Sequence, residues 1–454
     1  MRRKARKTDA FRPETYVRST AHSLKFANAG KRAAMSDFLT EYRKAVGAYV
    51  DVLWNCPREW TPGKILDVGH DYLDVPSMIS TTDIPIETRL SGRALKCAAT
   101  QACGMVKAAL KRRQRDLLVQ AKCREENKEI PKRIMYRLEH PPSMPDARYA
   151  NAEINSICCS IESAEHTTFQ LWIDLKSLFK SAEYGKAFHV QVPLKRTRMD
   201  DKWSSGEHEV LPSILFTDDA IHIRYRRPVP ACTGTREVGL DQGARRMLTA
   251  SDSTEIPDIA HGYRKILKKI ARRKRGTKSY GRALQEREDY VFHAIKQVDW
   301  SVYKLINLER HFDIKRGKNT GRMLKAFSNP QIRNALYMRA SEEMGVPIQE
   351  VDNVCNSLRC PMDGWVHVRN RPRKGPLFRC MKCGYVDDAD RVGAHNANLH
   401  ALGLPACSHE LVFKCKLHRS SGFYWTDSGF YDEKGDPLVP VAGSSQSPVG
   451  NNDE

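Results

Sequence analysis

The chain lacks any run of about 18 apolar residues, so no segment reads as a membrane-crossing helix. Its first residues, MRRKARKTDAFRPE, are basic, but no apolar stretch follows them. A secretory signal is therefore not expected there. No G-x-x-x-x-G-K-[ST] sequence and no G-x-G-x-x-G occurs, which disfavours an ATPase or a dinucleotide-dependent dehydrogenase. Acid is in short supply: 54 Asp and Glu face 75 Lys and Arg, a net charge of +21. The thirteen cysteines are an odd, scattered set, better explained by metal binding or plain burial than by a disulfide framework. No internal repeat is present.

What is there fits a globular chain of several domains. With 454 residues, 41% apolar and 28% charged, it can bury sizeable cores without cross-links. The excess of positive charge points to a polyanionic partner, nucleic acid before an anionic membrane surface. Residues 1–14 read as a mobile basic arm. Residues 16–27 alternate like a strand. Phe38, Leu39, Tyr42, Val46, Tyr49 and Leu53 then recur at helical spacing, and a second helix is predicted over Glu87–Cys123. A third is predicted over Asn151–Leu178, after the breaks at Pro141, Pro142 and Pro145. Cys158 and Cys159 read as core.

From Phe188 the period becomes two. Phe188, Val190, Val192 and Leu194 oppose His189, Gln191 and Lys195, and Ile221, Ile223 and Tyr225 oppose His222, Arg224 and Arg226. These are half-buried antiparallel strands with a basic outer face, and the strand at 16–27 is expected to join them. Val238–Gly243 is an apolar strand running into a tight turn. Residues 264–282 carry ten Lys/Arg and no acid, with Ile266, Leu267 and Ile270 as an apolar stripe. The resulting basic amphipathic helix exposes Lys268, Lys269, Arg272, Arg273, Lys274 and Arg275 as nucleic-acid contacts. Lys304–Glu309 is an apolar run ending in an acid, Asn329-Pro330 starts a helix that Gly345 ends, and a strand follows at Val346–Val351. The last twenty or so residues are expected to be disordered.

Two constellations carry chemistry. Asp241 sits just past an apolar strand, Glu309 ends another, and Asp390 begins a helix in DDADRVGAHNAN. Three converging carboxylates repel one another and favour a divalent cation, and oxygen ligands select Mg²⁺ or Mn²⁺. The second constellation is Cys380-Met-Lys-Cys383-Gly, half of a zinc ribbon, with Cys360-Pro-Met-Asp363-Gly upstream. Tetrahedral zinc needs four ligands, which Cys360, Cys380, Cys383 and either Asp363 or Cys355 supply. Arg369, Arg371, Arg373, Lys374 and Arg379 make the loop between the halves basic. Cys407, His409, Cys415 and His418 match no zinc module and read as unrelated residues.

The order GLDQG, basic helix, INLE, helix, strand, NSLRCPMDG, FRCMKCGY, DADRVGAHN resembles the RuvC-like nuclease half of TnpB proteins and compact type V CRISPR effectors. The likeness spans about residues 236–402. It places Asp241 on the first catalytic acid, Glu309 on the second, ahead of Glu350 and Asp352, and Asp390 on the last Asp of D-A-D, ahead of Asp387 and Asp388. Ser357 falls on the Ser of T-S-x-x-C. Three departures stand out: Gln242 where a small or apolar residue is usual, Asp363 for the second ribbon cysteine, and Val392-Gly393 for Asn-Ala.

The resemblance implies a multidomain α+β chain: a wedge-type β-barrel with an inserted helical recognition lobe, then an RNase H-like (RuvC) α/β nuclease domain with an inserted zinc-ribbon-like module. The expected boundaries are a basic arm at 1–14, wedge strands at 15–30 and 181–234, the helical lobe at 31–180, nuclease parts at 235–352 and 386–403, the ribbon-like module at 353–385, and an extension at 404–454. It further implies a prokaryotic, cytoplasmic RNA-guided DNA endonuclease. Asp241, Glu309 and Asp390 would hold Mg²⁺ (or Mn²⁺), and the ribbon Zn²⁺. Partners would be a guide RNA and duplex DNA bearing a short adjacent motif, with no membrane, contacted through Arg224, Arg226, Arg371, Arg373 and the basic helix. Rival readings are a transposon-encoded TnpB using an element-end RNA, and a catalytically idle zinc-ribbon DNA-binding regulator.

Overall fold

The computed structural model describes residues 10–55, 75, 77–125, 129–140, 143–164, 167–180, 188–258, 262–310, 321–372, 376–401, 404–405 and 421–438. Arg373, Lys374, Cys407, His409, Cys415, His418, most of the basic arm and the last sixteen residues lie outside them. The chain forms two compact units, residues 16–228 and residues 229–454 together with 2–15.

The first unit contains the long helices α1 (Ala29–Asn55) and α2 (Gly92–Glu125), followed by α3 (Lys132–Glu139). The predicted stripe on α1 is buried from Phe38 to Leu53, and it meets the small face of α2, Ala94, Ala98, Ala102 and Val106. Alanines let the two axes approach closely. Past Leu110 the stripe comes to the surface, and Leu118 is exposed. Arg137 of α3 anchors that stretch by pairing with the buried Asp116.

The helix expected over 151–178 does not form. That stretch holds β2 (Ala152–Ile154), β3 (Cys159–Ser163) and β4 (Leu171–Lys176). The alternation of Leu171, Ile173 and Leu175, all buried, with Trp172 is a period of two that the helical reading overlooked. Cys158 and Cys159 are buried as expected.

The remaining elements of this unit are β5 (His189–Leu194), α4 (Arg198–Ser204), β6 (Glu209–Val210), β7 (Ile214–Phe216) and β8 (Ala220–Pro228). β1 (Thr15–Ser23) lies beside β8 in a sheet of order β1-β8-β7-β2, with β6 also on β8, so the first strand does join across the helical insertion. β3, β4 and β5 form a separate antiparallel sheet. The expected barrel is therefore not closed: among the described residues the strands make two open sheets, because β5 pairs with β4 and not with β8.

The second unit is built on a sheet of order β10-β9-β11-β12: β9 (Arg236–Gln242), β10 (Leu248–Ala250), β11 (Tyr303–Arg310) and β12 (Ile348–Asp352). β9, β11 and β12 run parallel, and β10 returns antiparallel on β9. Val238, Leu240, Ile306, Leu308 and Ile348 share one core with α5 (Gly262–Arg272), α6 (Lys278–Lys296) and α8 (Asn329–Leu336), to which α7 (Arg322–Ala326) adds Ala326. The basic run thus splits into two helices at Gly276, whose φ of +82° breaks the helix, and Ile266, Leu267 and Ile270 are buried as predicted. α8 passes into a π-turn over Tyr337–Glu342 before Gly345. The arm is not mobile to its end: Phe11 exchanges two backbone hydrogen bonds with Ile348 on the outer edge of β12, and Arg12 donates to the carbonyls of Val229 and Pro230.

Strands β13 (Trp365–Val366), β14 (Leu377–Arg379) and β15 (Val386–Asp388) belong to the cysteine-rich module, and α9 (Ala389–Ala401) follows directly. The hairpin β16 (Phe423–Thr426) and β17 (Gly429–Tyr431) adds to β13, so part of the expected extension completes this module, burying Phe423 and Trp425. Among the described residues no helix is long and apolar enough to cross a membrane.

Candidate functional site: three acids, a cysteine cluster and a basic cavity

Parallel register brings the first two acids together. Leu240 of β9 pairs with Leu308 of β11, so Asp241 and Glu309 follow side by side at the carboxyl ends of neighbouring strands. α9 supplies the third. It packs on β9 at Gly239, where a Cβ would lie 2.0 Å from the Ala394 carbonyl oxygen. Only glycine admits the helix that close. The residue before Ala394, Gly393, faces Asp241, and a Cβ there would stand 3.3 Å from the Asp241 carboxyl carbon. The Gly393 departure thus lies directly against the first acid. Asp388 is the cap of α9, accepting the Asp390 N–H at 2.9 Å, and it also pairs with Arg246. Asp387 is engaged by Tyr385 and Arg391. Asp390 lies near enough to Asp241 to feel its charge.

The electrostatics follow from this crowding. Burial, then the Asp241 carboxylate in hydrogen-bonding contact, holds Glu309 protonated well above the usual carboxylate range. Burial, with Asp241 and Asp388 nearby, pushes Asp390 up to about 6, against the pull of Arg371 and Arg245. Asp390 Oδ2 is buried without a hydrogen-bond partner. An all-oxygen donor set with an unsatisfied lone pair and excess negative charge suits a hard divalent cation. Glu350 does not compete. Glu309 pairs with Val351, so Glu350 projects from the opposite face of the sheet, where Arg310 and Arg333 bind it.

The ribbon cysteines also converge. Cys360, Asp363, Cys380 and Cys383 bring one ligand atom each to within 4.8 Å of one another. Cys360 and Cys383 sulfurs are 3.6 Å apart, and Asp363 Oδ2 is 3.3 Å from Cys380 Sγ. These match the edges of a tetrahedron with zinc–sulfur bonds of about 2.3 Å and zinc–oxygen bonds of about 2.1 Å. The two halves are built alike: Gly364 and Gly384, both at φ +75°, turn each knuckle back. Burial would raise Asp363, but the Trp365 N–H and the three thiols hold it below its ordinary value, so it is a carboxylate. Cys355, the alternative fourth ligand, is not in the cluster. Its φ of +64° makes it a turn residue, packed on the Val366–Phe423 core.

The basic surfaces are more dispersed. Arg272, Arg273, Lys274, Arg275, Arg322 and Lys325 line a cavity of about 560 Å³ with Tyr280 at its wall. Lys268 and Lys269 border a neighbouring cavity of about 490 Å³. Arg371 donates to Ser357 Oγ at 3.1 Å and acts on Asp390, which ties it to the acid site. On the first unit, Arg224 is held by Glu153 and Ser213, and Arg226 by Glu209, so both are already engaged. Sequence reading missed Arg322, Lys325, Tyr280 and Arg245. It also passed over Asn356, Asn396 and Asn398, although these polar residues stood inside the singled-out motifs.

Residues 331–397 match the family model described as the TNB domain of Cas12f1-like proteins. No curated protein matches the chain. A cryo-EM structure of a Cas12f1–sgRNA–target DNA complex is similar at 13% identity, over 81% of this chain and 82% of that chain, with a TM-score of 0.49. The cryo-EM structure of CasPhi-2 (Cas12j) bound to crRNA is similar at 10% identity, over 86% and 99%, with a TM-score of 0.46. The resemblance to Cas12f1-like proteins is shown on residues 331–397, the segment that holds the cysteine cluster and Asp390.

Proposed function

We propose that the protein is an RNA-guided DNA endonuclease of the compact type V kind, cleaving phosphodiesters at Asp241, Glu309 and Asp390. The observation that carries this reading is the convergence of three carboxylates from two parallel strands and a helix, so crowded that burial and neighbouring negative charge raise both Glu309 and Asp390 above the ordinary carboxylate range. A pair of Mg²⁺ ions bound there would activate water and stabilise the leaving oxygen of an in-line displacement. Asp241 and Glu309 supply adjacent oxygens, and Asp390 Oδ2 supplies the one that the fold leaves unsatisfied. Arg245 and Arg371 bring positive charge to Asp390, where a phosphodiester's non-bridging oxygens would lie.

Zinc fits Cys360, Asp363, Cys380 and Cys383 and would fix the module that carries Arg371. A structured guide RNA would track the basic cavity and its neighbour, while base pairing reads the target and the protein reads a short duplex motif. An idle regulator would have no use for the buried acid site.

The test is programmed cleavage. Purified protein is expected to carry RNA; sequencing it names an array or element-end source, and pairing it with a matched duplex yields Mg²⁺-dependent cleavage that EDTA stops. A protein free of RNA that leaves every matched duplex intact would refute the proposal.

A further inference from the structure

A buried chain of hydrogen bonds runs from the ribbon to Glu309. Asn356 Nδ2 donates to Glu309 Oε1 at 3.3 Å. The Asn356 carbonyl accepts from Asn396 Nδ2 at 2.6 Å, and the same nitrogen reaches the Arg359 carbonyl at 2.9 Å. Arg359 Nη1 donates back to Asn396 Oδ1 at 2.8 Å and to the carbonyl of the ribbon ligand Cys360 at 3.3 Å. Asn356 and Asn396 are wholly buried, and Arg359 and Glu309 are 6% and 4% exposed. The left-handed Cys355 starts the turn that delivers Asn356, its carbonyl taking the N–H groups of Leu358 and Arg359.

Burying two amides and a guanidinium is costly unless each finds partners. Here the partners belong to the ribbon, to α9 and to the second acid, three parts of the chain that must be aligned for the acids to act together. A glutamate has three side-chain torsions, so a carboxylate at a strand end needs a second group to fix it.

Resting on the metal reading above, we propose that Asn356 is a positioning residue for Glu309, braced by Asn396 and Arg359. It holds one carboxylate oxygen so that the other faces the cation. Outer partners of this kind, when removed, weaken metal binding by about 10–100-fold.

The experiment measures Mn²⁺ binding to the full chain without added DNA, by electron paramagnetic resonance, beside the Mg²⁺ midpoint for cleavage, melting temperature and zinc content. Asn356→Leu keeps the size and removes the donor. It is expected to weaken Mn²⁺ about tenfold or more and to shift the Mg²⁺ midpoint upward, with the cleavage plateau largely recovered at high Mg²⁺ and zinc content unchanged. Asn356→Ala is the second variant, should leucine disturb the fold, with the same expectation. Asn356→Thr, which restores a donor, is expected to recover most of the affinity. Parental Mn²⁺ binding in a folded Asn356→Leu or Asn356→Ala overturns the positioning role alone. A parent protein that binds no Mn²⁺ overturns the metal reading, and the positioning role with it.

Discussion

Gly239 offers the sharpest perturbation of the acid site, because it touches none of the acids and yet sets their spacing. An alanine there places its methyl carbon 2.0 Å from the Ala394 carbonyl oxygen and 2.7 Å from the Asn398 nitrogen, both backbone atoms of α9. Unstrained contacts lie near about 3.5 Å, so α9 must retreat from β9 by roughly 1–1.5 Å. Overpacking of this kind costs about 1–3 kcal/mol, a fall in melting temperature of about 2–12 °C for a unit of this size. The same retreat carries Asp390 away from Asp241, and a misplacement of about 1 Å costs on the order of 100-fold in rate. Gly281, inside α6 with nothing within 4 Å of its Cβ position, is the control. Gly281→Ala should stabilise by up to about 1 kcal/mol and cleave normally. Melting curves and guided-cleavage rates on both variants read the outcome. Parental cleavage and parental melting by Gly239→Ala would refute the claim that contact between α9 and β9 sets the site.

The raised carboxyls make metal-linked stability depend on pH. Between about pH 4 and 6 the folded chain keeps a proton on Asp390 that the unfolded chain has lost, so this group's contribution to stability falls as pH rises, by about 3 kcal/mol; Glu309, also raised, acts in the same direction. Mg²⁺ should therefore raise the melting temperature more at pH 7.5 than at pH 5, and Asp390→Asn should remove most of that difference; an equal Mg²⁺ shift at both pH values would count against it. At the ribbon, Asp363→Cys should raise zinc affinity without loss of cleavage and Cys355→Ala should leave zinc content unchanged, as mass spectrometry would show. Arg322→Glu and Lys325→Glu should each lower the slope of log affinity for RNA against log salt by about 0.7–0.9, whatever the RNA sequence.

Much of the second unit was legible because its signals are local. An apolar strand ending in Asp241, another ending in Glu309 and the two knuckles stand as short patterns, and the fold only had to bring them together. Asp363 was legible as the fourth member of the cluster because it stands at the spacing of the missing ribbon cysteine, whereas the left-handed turn that keeps Cys355 out of the cluster is not visible in spacing. The helix expected over 151–178 failed because short strands of mixed residues imitate a helical stripe when Cys158 and Cys159 are added to the count. The barrel failed because the helical reading of 151–178 hid β4, the neighbouring strand with which β5 pairs. Asn356 and Asn396 escaped notice because a polar residue in a motif has no visible partner until the chain is folded.

The most direct measurement of the central claim separates DNA binding from DNA cutting in Asp241→Ala. The carboxylate lies against Glu309 and Gly393 at the acid site, away from the lining of the basic cavity. Guided binding to a matched duplex should be nearly unchanged, while Mg²⁺-dependent cleavage falls by several orders of magnitude. Glu309→Ala and Asp390→Ala should behave the same way, and the triple variant should be little worse than any single one, because the three act as one unit. Full cleavage by Asp241→Ala, or normal cleavage by Glu309→Ala with loss in Glu350→Ala, would contradict the account.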